Sequence, residues 1–351
     1  MVKNITIDNF RGFNHFAYSG FTPITVIGGK NNACKSTLLE AMSLTFGISG
    51  GDALTKLNQQ RGIRHSTLSD FDVMFSDFDS SRNVHISAEF DNERVVRVDI
   101  ARKNPKVVVA EAEEGSSISV VDFQQAIQSE LRIETRIEEL QGSNLKYAET
   151  FYTFGQSGSI ASTQAETIRP KFGVYQNPNI RANDWEEVLA LFKNGESDDL
   201  VSSLRILDSR IVSVTPIEKT LYARIEGAKR PIPVSALGDG AVKVAFVLAK
   251  IASVSSGGVC AFDEIENGLH YSAMKLLWRA MVAVARKRNV QLIVTTHSLE
   301  MLHAISEVAA DNDGDDFSYL RLAAKKNGTI VSARYTYPEF ITHLKEDFEL
   351  R

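Results

Sequence analysis

Cysteine is scarce: Cys34 and Cys260 are the only two in 351 residues. They lie far apart and form no C-x-x-C pair, which excludes a disulfide framework and a cysteine zinc site and points to a reducing compartment. Long apolar runs are missing as well. None approaches the roughly 20 residues of a membrane span, and the opening MVKNITIDNF alternates polar and apolar residues without the apolar stretch of a signal peptide. A cytoplasmic location with no membrane partner is expected. Excess positive charge is also lacking, since 39 Lys and Arg face 44 Asp and Glu, a net charge of −5. Bulk charge therefore gives nucleic acid no footing, and any nucleic-acid face would have to be local. Sustained heptads are absent, so no coiled-coil arm is expected.

What is present is an ordinary folded composition, 43% apolar and 24% charged, with a length that suggests about two domains. Val2 to Phe10 alternates like a strand, and Phe16 to Ser19 reads as its return. Pro23 to Ile27 is a short β-rich run into Gly28-Gly29, and Ser36 to Phe46 reads as a helix. Gly47 to Asp79 reads as an insertion with loops. Val84 to Phe90, Val95 to Ala101 and Lys106 to Ala112 suggest an antiparallel meander. Val121 to Leu140 is predicted helical, and Gly155 to Thr167 is a Ser/Gly/Thr-rich loop. Beyond residue 185 the expected order is two helices, two strands, then alternating helices and short buried strands, closing with a strand pair and a helix from Pro338.

Four stretches carry chemistry. The first, GGKNNACKST, follows a strand and opens a helix. Gly29, Lys35 and Ser36 fit the phosphate-loop pattern G-x-x-x-x-G-K-[ST], but Cys34 stands where that pattern has glycine. Such a loop aims backbone N–H groups and a helix N-terminus at phosphates. Lys35 would neutralise the β and γ oxygens, Ser36 would hold Mg²⁺, and Asn31 and Asn32 tolerate the tight path. The alternative is a chance match on a strand–helix turn. A side chain at Cys34, where backbone often takes φ > 0, costs about 1 kcal/mol, less than several charge-assisted phosphate contacts return. Placed beside Lys35 at a helix N-terminus, its thiol should be reactive.

The second, GGVCAFDEIENGLH, is a buried strand ending in Asp263-Glu264. Two adjacent carboxylates there are costly without a cation. Either Asp263 supports Mg²⁺ and Glu264 polarises water as general base, or the pair caps a helix. The third, VQLIVTTHSLEML, is another buried strand, with His297 just past its C-terminal edge, where α/β sheets place ligand chemistry. That histidine could bond a γ-phosphate or be structural. The fourth, VSALGDGAVKVAF, is a Gly-Asp-Gly turn opening a helix, which offers backbone donors to an anion.

Taken together, these pieces resemble the ABC-type ATPase head shared by SMC and RecF proteins, and above all the OLD-type (overcoming lysogenization defect) ATPases and their nuclease-less relatives. The resemblance extends to IDNFRGF near the start and FELR at the end. It implies Walker A at Gly29 to Thr37, including Asn31, Asn32, Ala33, Cys34, Lys35 and Ser36. It implies a signature at Leu237, Gly238, Asp239 and Gly240, acting on a second copy, and Walker B at Cys260 to Glu264. The D-loop would hold Glu266, Asn267 and His270, His297 would be the switch histidine, and Arg11 would lie near the nucleotide. Departures are clear. Gly238 occupies the signature serine's place, so backbone donors from Gly238 to Gly240 are expected to act, and Ser235 would reach only with a shifted register. Gln141 and Gln156 are candidates for the Q-loop. The acidic run DNDGDD lacks the strand–helix scaffold of a Toprim nuclease and reads as a solvated loop.

The implied fold is α/β: an ABC-type P-loop ATPase head with a mixed, largely parallel core sheet, an antiparallel β subdomain and an inserted helical region. Its expected segments are 1–113, 114–230 and 231–351. The implied activity is ATP hydrolysis with Mg²⁺ in a homodimer that sandwiches ATP. The implied role is sensor or regulator of a separately encoded nuclease or toxin in antiphage defence. The alternatives are a RecF- or SMC-like DNA-repair ATPase and an ATP-holding scaffold with little turnover.

Overall fold

A computed structural model describes residues 1–46, 52–63, 68–91, 93–103, 131–141, 144–155, 158–165, 173–177, 185–310 and 316–346. The first half of the chain contains β1 (Val2–Phe10), β2 (Phe13–Ser19), β3 (Ile24–Gly28), α1 (Lys35–Leu44), α2 (Asp52–Gln60), β4 (Val84–Phe90), β5 (Arg94–Lys103), β6 (Leu131–Gln141), β7 (Asn144–Gly155), β8 (Gly158–Ala165) and β9 (Gly173–Gln176). The second half contains α3 (Glu186–Lys193), α4 (Asp198–Leu207), β10 (Ile211–Ile217), β11 (Thr220–Ile225), β12 (Ile232–Pro233), α5 (Asp239–Ala252), β13 (Val259–Phe262), α6 (Tyr271–Arg288), β14 (Gln291–Thr295), α7 (Leu299–Ala310), β15 (Phe317–Ala324), β16 (Ile330–Thr336) and α8 (Tyr337–Lys345).

The chain forms two compact units. The first comprises Met1–Asn4, Tyr18–Gly47 and Pro170–Arg351, the second Ile5–Ala17 and Ile48–Arg169. These units cut across the expected segments 1–113, 114–230 and 231–351.

The first unit is built on a six-stranded sheet in the order β16-β15-β3-β14-β13-β9. Neighbours from β15 to β9 are parallel, and β16 closes the edge antiparallel to β15. Every residue of β3, β13 and β14 is buried, as expected of strands covered on both faces. Their largely apolar runs, ITVIG, VCAF and QLIVT, are the sequence form of that burial. Helix α5 is buried at every position from Ala241 to Ala249, so it is an internal helix, not an amphipathic surface one. Its core partners include Trp278, Tyr319 and Phe340. Gln291 starts β14 and fixes the chain start: its amide accepts from Val2 N–H at 2.7 Å and donates to Val2 O at 3.0 Å. A small antiparallel sheet, β10-β11-β12, precedes α5.

The sheet of the second unit has the order β2-β1-β4-β5-β6-β7-β8. In β4, Val84, Ile86, Ala88 and Phe90 are buried and alternate with His85, Ser87 and Glu89, the pattern of a sheet with one solvated face.

Two expectations fail here. The helix predicted over Val121 to Leu140 is, from Leu131 onward, strand β6, paired antiparallel to β5 and β7 along its length. Leu131, Ile133 and Ile137 recur with a period of two, and that β-branched alternation outweighs the helix-favouring glutamates. The Ser/Gly/Thr-rich loop becomes β8, folded back on β7 with Gly155 opposite Gly158. The inserted region is therefore helical only in α3 and α4 among the described residues. Lys106 to Ala112 and Val121 to Glu130 lie outside them. Helix α2 and strand β9 were not anticipated.

Candidate functional site

Four of the sheet's parallel strands deliver residues to one edge, three of them the expected ones, because parallel neighbours end on the same side. β3 runs into Gly28-Gly29, β14 into Thr295 and His297, β13 into Asp263, and β9 ends on Gln176.

The loop after β3 needs both its glycines. A Cβ on Gly28 would lie 1.7 Å from the Tyr319 hydroxyl. Gly29 has φ 141°, and a Cβ there would lie 2.2 Å from the Leu322 carbonyl. Asn31 and Asn32 are exposed, Ala33 is buried, and Asn32 has φ 65°. Cys34 takes φ 61°, ψ 24°, the left-handed conformation its place in the pattern demands, and sits at the N-cap of α1 without a side-chain cap bond. Lys35 is 8% exposed, and its ammonium donates to the Gly29 carbonyl at 2.8 Å and the Lys30 carbonyl at 3.0 Å. Burial lowers its pKa, while Glu264, Asp263 and Glu266 draw it back up. Thr37 is buried in the first turn of α1.

Asp263 is 4% exposed. It accepts from the Thr295 hydroxyl at 2.5 Å and from the Ser36 hydroxyl. Burial raises its pKa, and those two hydrogen bonds oppose the rise. Glu264 has φ 43°, a left-handed conformation costly for a side chain of this size and typical of sites where surrounding structure imposes strain. Its N–H donates to Thr295 Oγ1 at 2.8 Å. Thr295 thus binds both carboxylate residues at once, a role that sequence reading missed.

His297 is about half exposed. Its backbone N–H donates to Glu266 Oε1 at 2.9 Å. Its Nδ1 lies 3.2 Å from the same oxygen and 3.7 Å from Glu264 Oε1. Glu266 is a buried side chain. Asn267 is exposed, and its carbonyl accepts from the buried ammonium of Lys243 on α5. His270 caps α6, accepting from Ser272 N–H at 3.4 Å.

At the start of α5, Gly238 has φ 103° and, like Asp239, is exposed, while Leu237 and Gly240 are half-buried. A Cβ on Gly238 would meet nothing within 4 Å, so this turn presents its backbone to the outside. Arg11 belongs to the second unit. There it has φ 50°, its N–H donates to the Met74 carbonyl, and its guanidinium donates to Asn58 Oδ1 at 3.2 Å. Gln141 ends β6 in that same unit, opposite Arg94 and Asn144, and Gln156 lies outside the described residues. The glutamine beside Asp263 is another one, Gln176, whose carbonyl accepts Asp263 N–H at 2.9 Å. The sequence signal was a short β-rich run, GVYQ, ending in glutamine, legible only once β13 needs a second parallel neighbour.

A family described as "AAA domain, putative AbiEii toxin, Type IV TA system" matches residues 24–302. An "ATP/GTP phosphatase" of Helicobacter pylori is 25% identical over 380 residues, covering 99% of each chain. An uncharacterised protein of Methanocaldococcus jannaschii is 27% identical over 105 residues, 30% of this chain and 48% of that one. Among solved structures, the SMC head domain from Thermotoga maritima aligns over 95% of this chain and 98% of its own with a TM-score of 0.45 and 14% identity. An SMC head bound to the C-terminal winged-helix domain of ScpA gives 0.49 and 13% over the same shares.

Proposed function

We propose, from the premise that the chain belongs to this AAA-domain family, that it is an ABC-type ATPase with an OLD-type head, which dimerises around ATP. The observation that carries the reading is the convergence on Asp263 of hydroxyls from two other strands' loops, Ser36 after β3 and Thr295 ending β14. A serine from the phosphate loop touching a buried carboxylate is the donor pair that Mg²⁺ takes together with substrate phosphates and water. Among the described residues no cluster of three or more His, Cys, Asp or Glu side chains is set to hold a metal unaided. Ser36 and Asp263 would hold the ion, which neutralises phosphate charge when bound.

The chain's own groups supply the rest. The loop from Gly29 to Ser36, with Asn31, Asn32, Ala33 and Cys34, turns backbone N–H groups and the N-terminus of α1 toward phosphate oxygens. The ammonium of Lys35 exchanges loop carbonyls for those oxygens. Thr37 packs beneath. Glu264 accepts a proton from the attacking water, and His297 bonds the γ-phosphate. Gly238, Asp239 and Gly240 offer backbone N–H groups at the start of α5 to the nucleotide of a second copy, after Leu237. The D-loop residues Asn267 and His270 lie beside the partner head.

In this reading the ATP-bound homodimer acts as sensor and regulator of a separately encoded effector, a nuclease or toxin, in antiphage defence. Cys34 and Gly238 favour one rival, an ATP-holding scaffold with little turnover.

The test compares wild type with Glu264→Gln in ATP and Mg²⁺, by phosphate release and by mass in solution. The expected result is turnover by the wild type, and a variant that binds ATP, turns over at least about 100-fold more slowly and accumulates as a dimer. Two proteins that bind ATP equally and are equally inactive would establish the scaffold. A variant that binds ATP as a monomer would end the sandwich. Purification of the native complex then tests the effector: recovery of the homodimer alone counts against it.

A further inference from the structure

We propose that Glu266 is the positioning residue for His297, fixing both its backbone and its ring so that Nε2 is the nitrogen offered to the nucleotide. This rests on the reading of His297 as the phosphate-side histidine.

The geometry is a two-point hold by one oxygen. Glu266 Oε1 accepts the His297 backbone N–H at 2.9 Å and faces Nδ1 of the same residue at 3.2 Å. A carboxylate oxygen can only accept, so the nitrogen facing it carries hydrogen, and that assigns the Nδ1–H tautomer. Nε2 is left without a protein partner among the described residues. The backbone bond sets where the loop after β14 leaves the sheet, and the Nδ1 contact sets how the ring is turned.

Burial makes the arrangement costly to keep for packing alone. Glu266 is 6% exposed, and its Oε2 is buried with no hydrogen-bond partner. A buried carboxylate held this way is costly unless charges or donors compensate. The compensation comes from two sides. His297 supplies both donors to Oε1. Lys243 on α5, itself 7% exposed, donates to the carbonyl of Asn267, the next residue in the chain. Burial pulls the Lys243 pKa down to about 8, and Glu266 is the first of the two carboxylates that draw it back up. Glu264 lies 3.7 Å from the same Nδ1, so without Glu266 the ring would be free to turn toward the base and lose its aim.

A histidine held this way behaves like one oriented by an outer carboxylate, where loss of the partner typically costs 10- to 100-fold. The test uses the full chain with ATP and Mg²⁺. His297→Asn must abolish turnover if the underlying reading holds. Glu266→Ala is expected to lose about 10- to 100-fold in kcat with KM little changed, because binding does not depend on the ring's orientation. Glu266→Gln, whose amide oxygen can still accept both bonds, should recover most of that loss. Ring-nitrogen NMR of 15N-histidine protein, assigned by the signal missing in His297→Asn, should show His297 protonated on Nδ1 in the wild type and a mixture of tautomers in Glu266→Ala. That spectrum decides the hold even if the wild type proves inactive, which would overturn the ATPase reading alone. Wild-type turnover in Glu266→Ala, or an unchanged His297 signal in that variant, overturns the proposal. Melting curves of both variants separate unfolding from misaiming, and Glu266→Gln keeps the question answerable if Glu266→Ala does not fold.

Discussion

Thr295 donates its hydroxyl proton to Asp263 Oδ1 at 2.5 Å and takes the N–H of Glu264 at 2.8 Å on the same oxygen. One side chain at the end of β14 thus orders both carboxylates at the end of β13. Thr295→Val keeps the shape and removes both bonds, leaving a buried acceptor and a buried donor unmatched. The expected cost is about 1 to 3 kcal/mol in stability, with turnover falling further than ATP affinity. Denaturant unfolding and steady-state kinetics measure the two, and a Thr295→Val enzyme with wild-type kcat would show that the carboxylates need no such bridge.

Cys34 holds a left-handed conformation at the phosphate loop. Cys260 is fully buried, so thiol labelling of the folded chain reports on Cys34. A maleimide should modify Cys34 and block ATP binding, and prior ATP should protect it. Cys34→Gly should keep binding and gain about 1 kcal/mol from relieved strain, less the entropy that glycine gives the unfolded chain. Equal labelling with and without ATP would separate the thiol from the site.

Lys243 makes the chain's stability depend on alkali. Its folded pKa is about 8 against the ordinary 10.5. Below pH 8 both folded and unfolded chains hold the proton, and the full penalty for burying the ammonium is present. Between about 8 and 10.5 the folded chain releases a proton that the unfolded chain still binds, so the contribution of this residue to stability rises with pH. The unfolding free energy of the wild type should therefore gain on that of Lys243→Met across this window, measured by denaturant midpoints. Parallel curves would contradict the assignment.

Gly29→Ala should abolish nucleotide binding and lower the melting temperature. Its Cβ would collide with the Leu322 carbonyl, which is backbone and cannot swing aside. Gly238→Ala, with open space around it, should melt near the wild type despite its strained φ. If Gly29→Ala binds ATP normally, the β15 end does not brace the loop.

Much of the first unit was legible in the sequence, because its signals are local. Short, largely apolar runs marked β3, β13 and β14, and each ended on the residues that chemistry required. The second unit was less legible. The stretch LRIETRIEEL carries β-branched alternation and helix-favouring glutamates together, and only pairing with β5 and β7 decides between them. The inward turn of Glu266 was illegible for a related reason. Nothing local in ENGLH announces that His297, 31 residues later, comes back to meet its carboxylate. Gln176 was hidden in the same way, since a four-residue strand gains meaning only beside β13.

The place of β14 between β3 and β13 has one more consequence. The strands that carry the phosphate loop and the carboxylates, β3 and β13, stand two strand spacings apart, roughly 10 Å, and that span is ruled by peptide hydrogen bonds common to every sequence. Core substitutions in α5 or α6 can weaken the fold without stretching this ruler. The edge to which Lys35 and Glu264 are brought is therefore set by strand order, and not by the fit of the side chains beneath it.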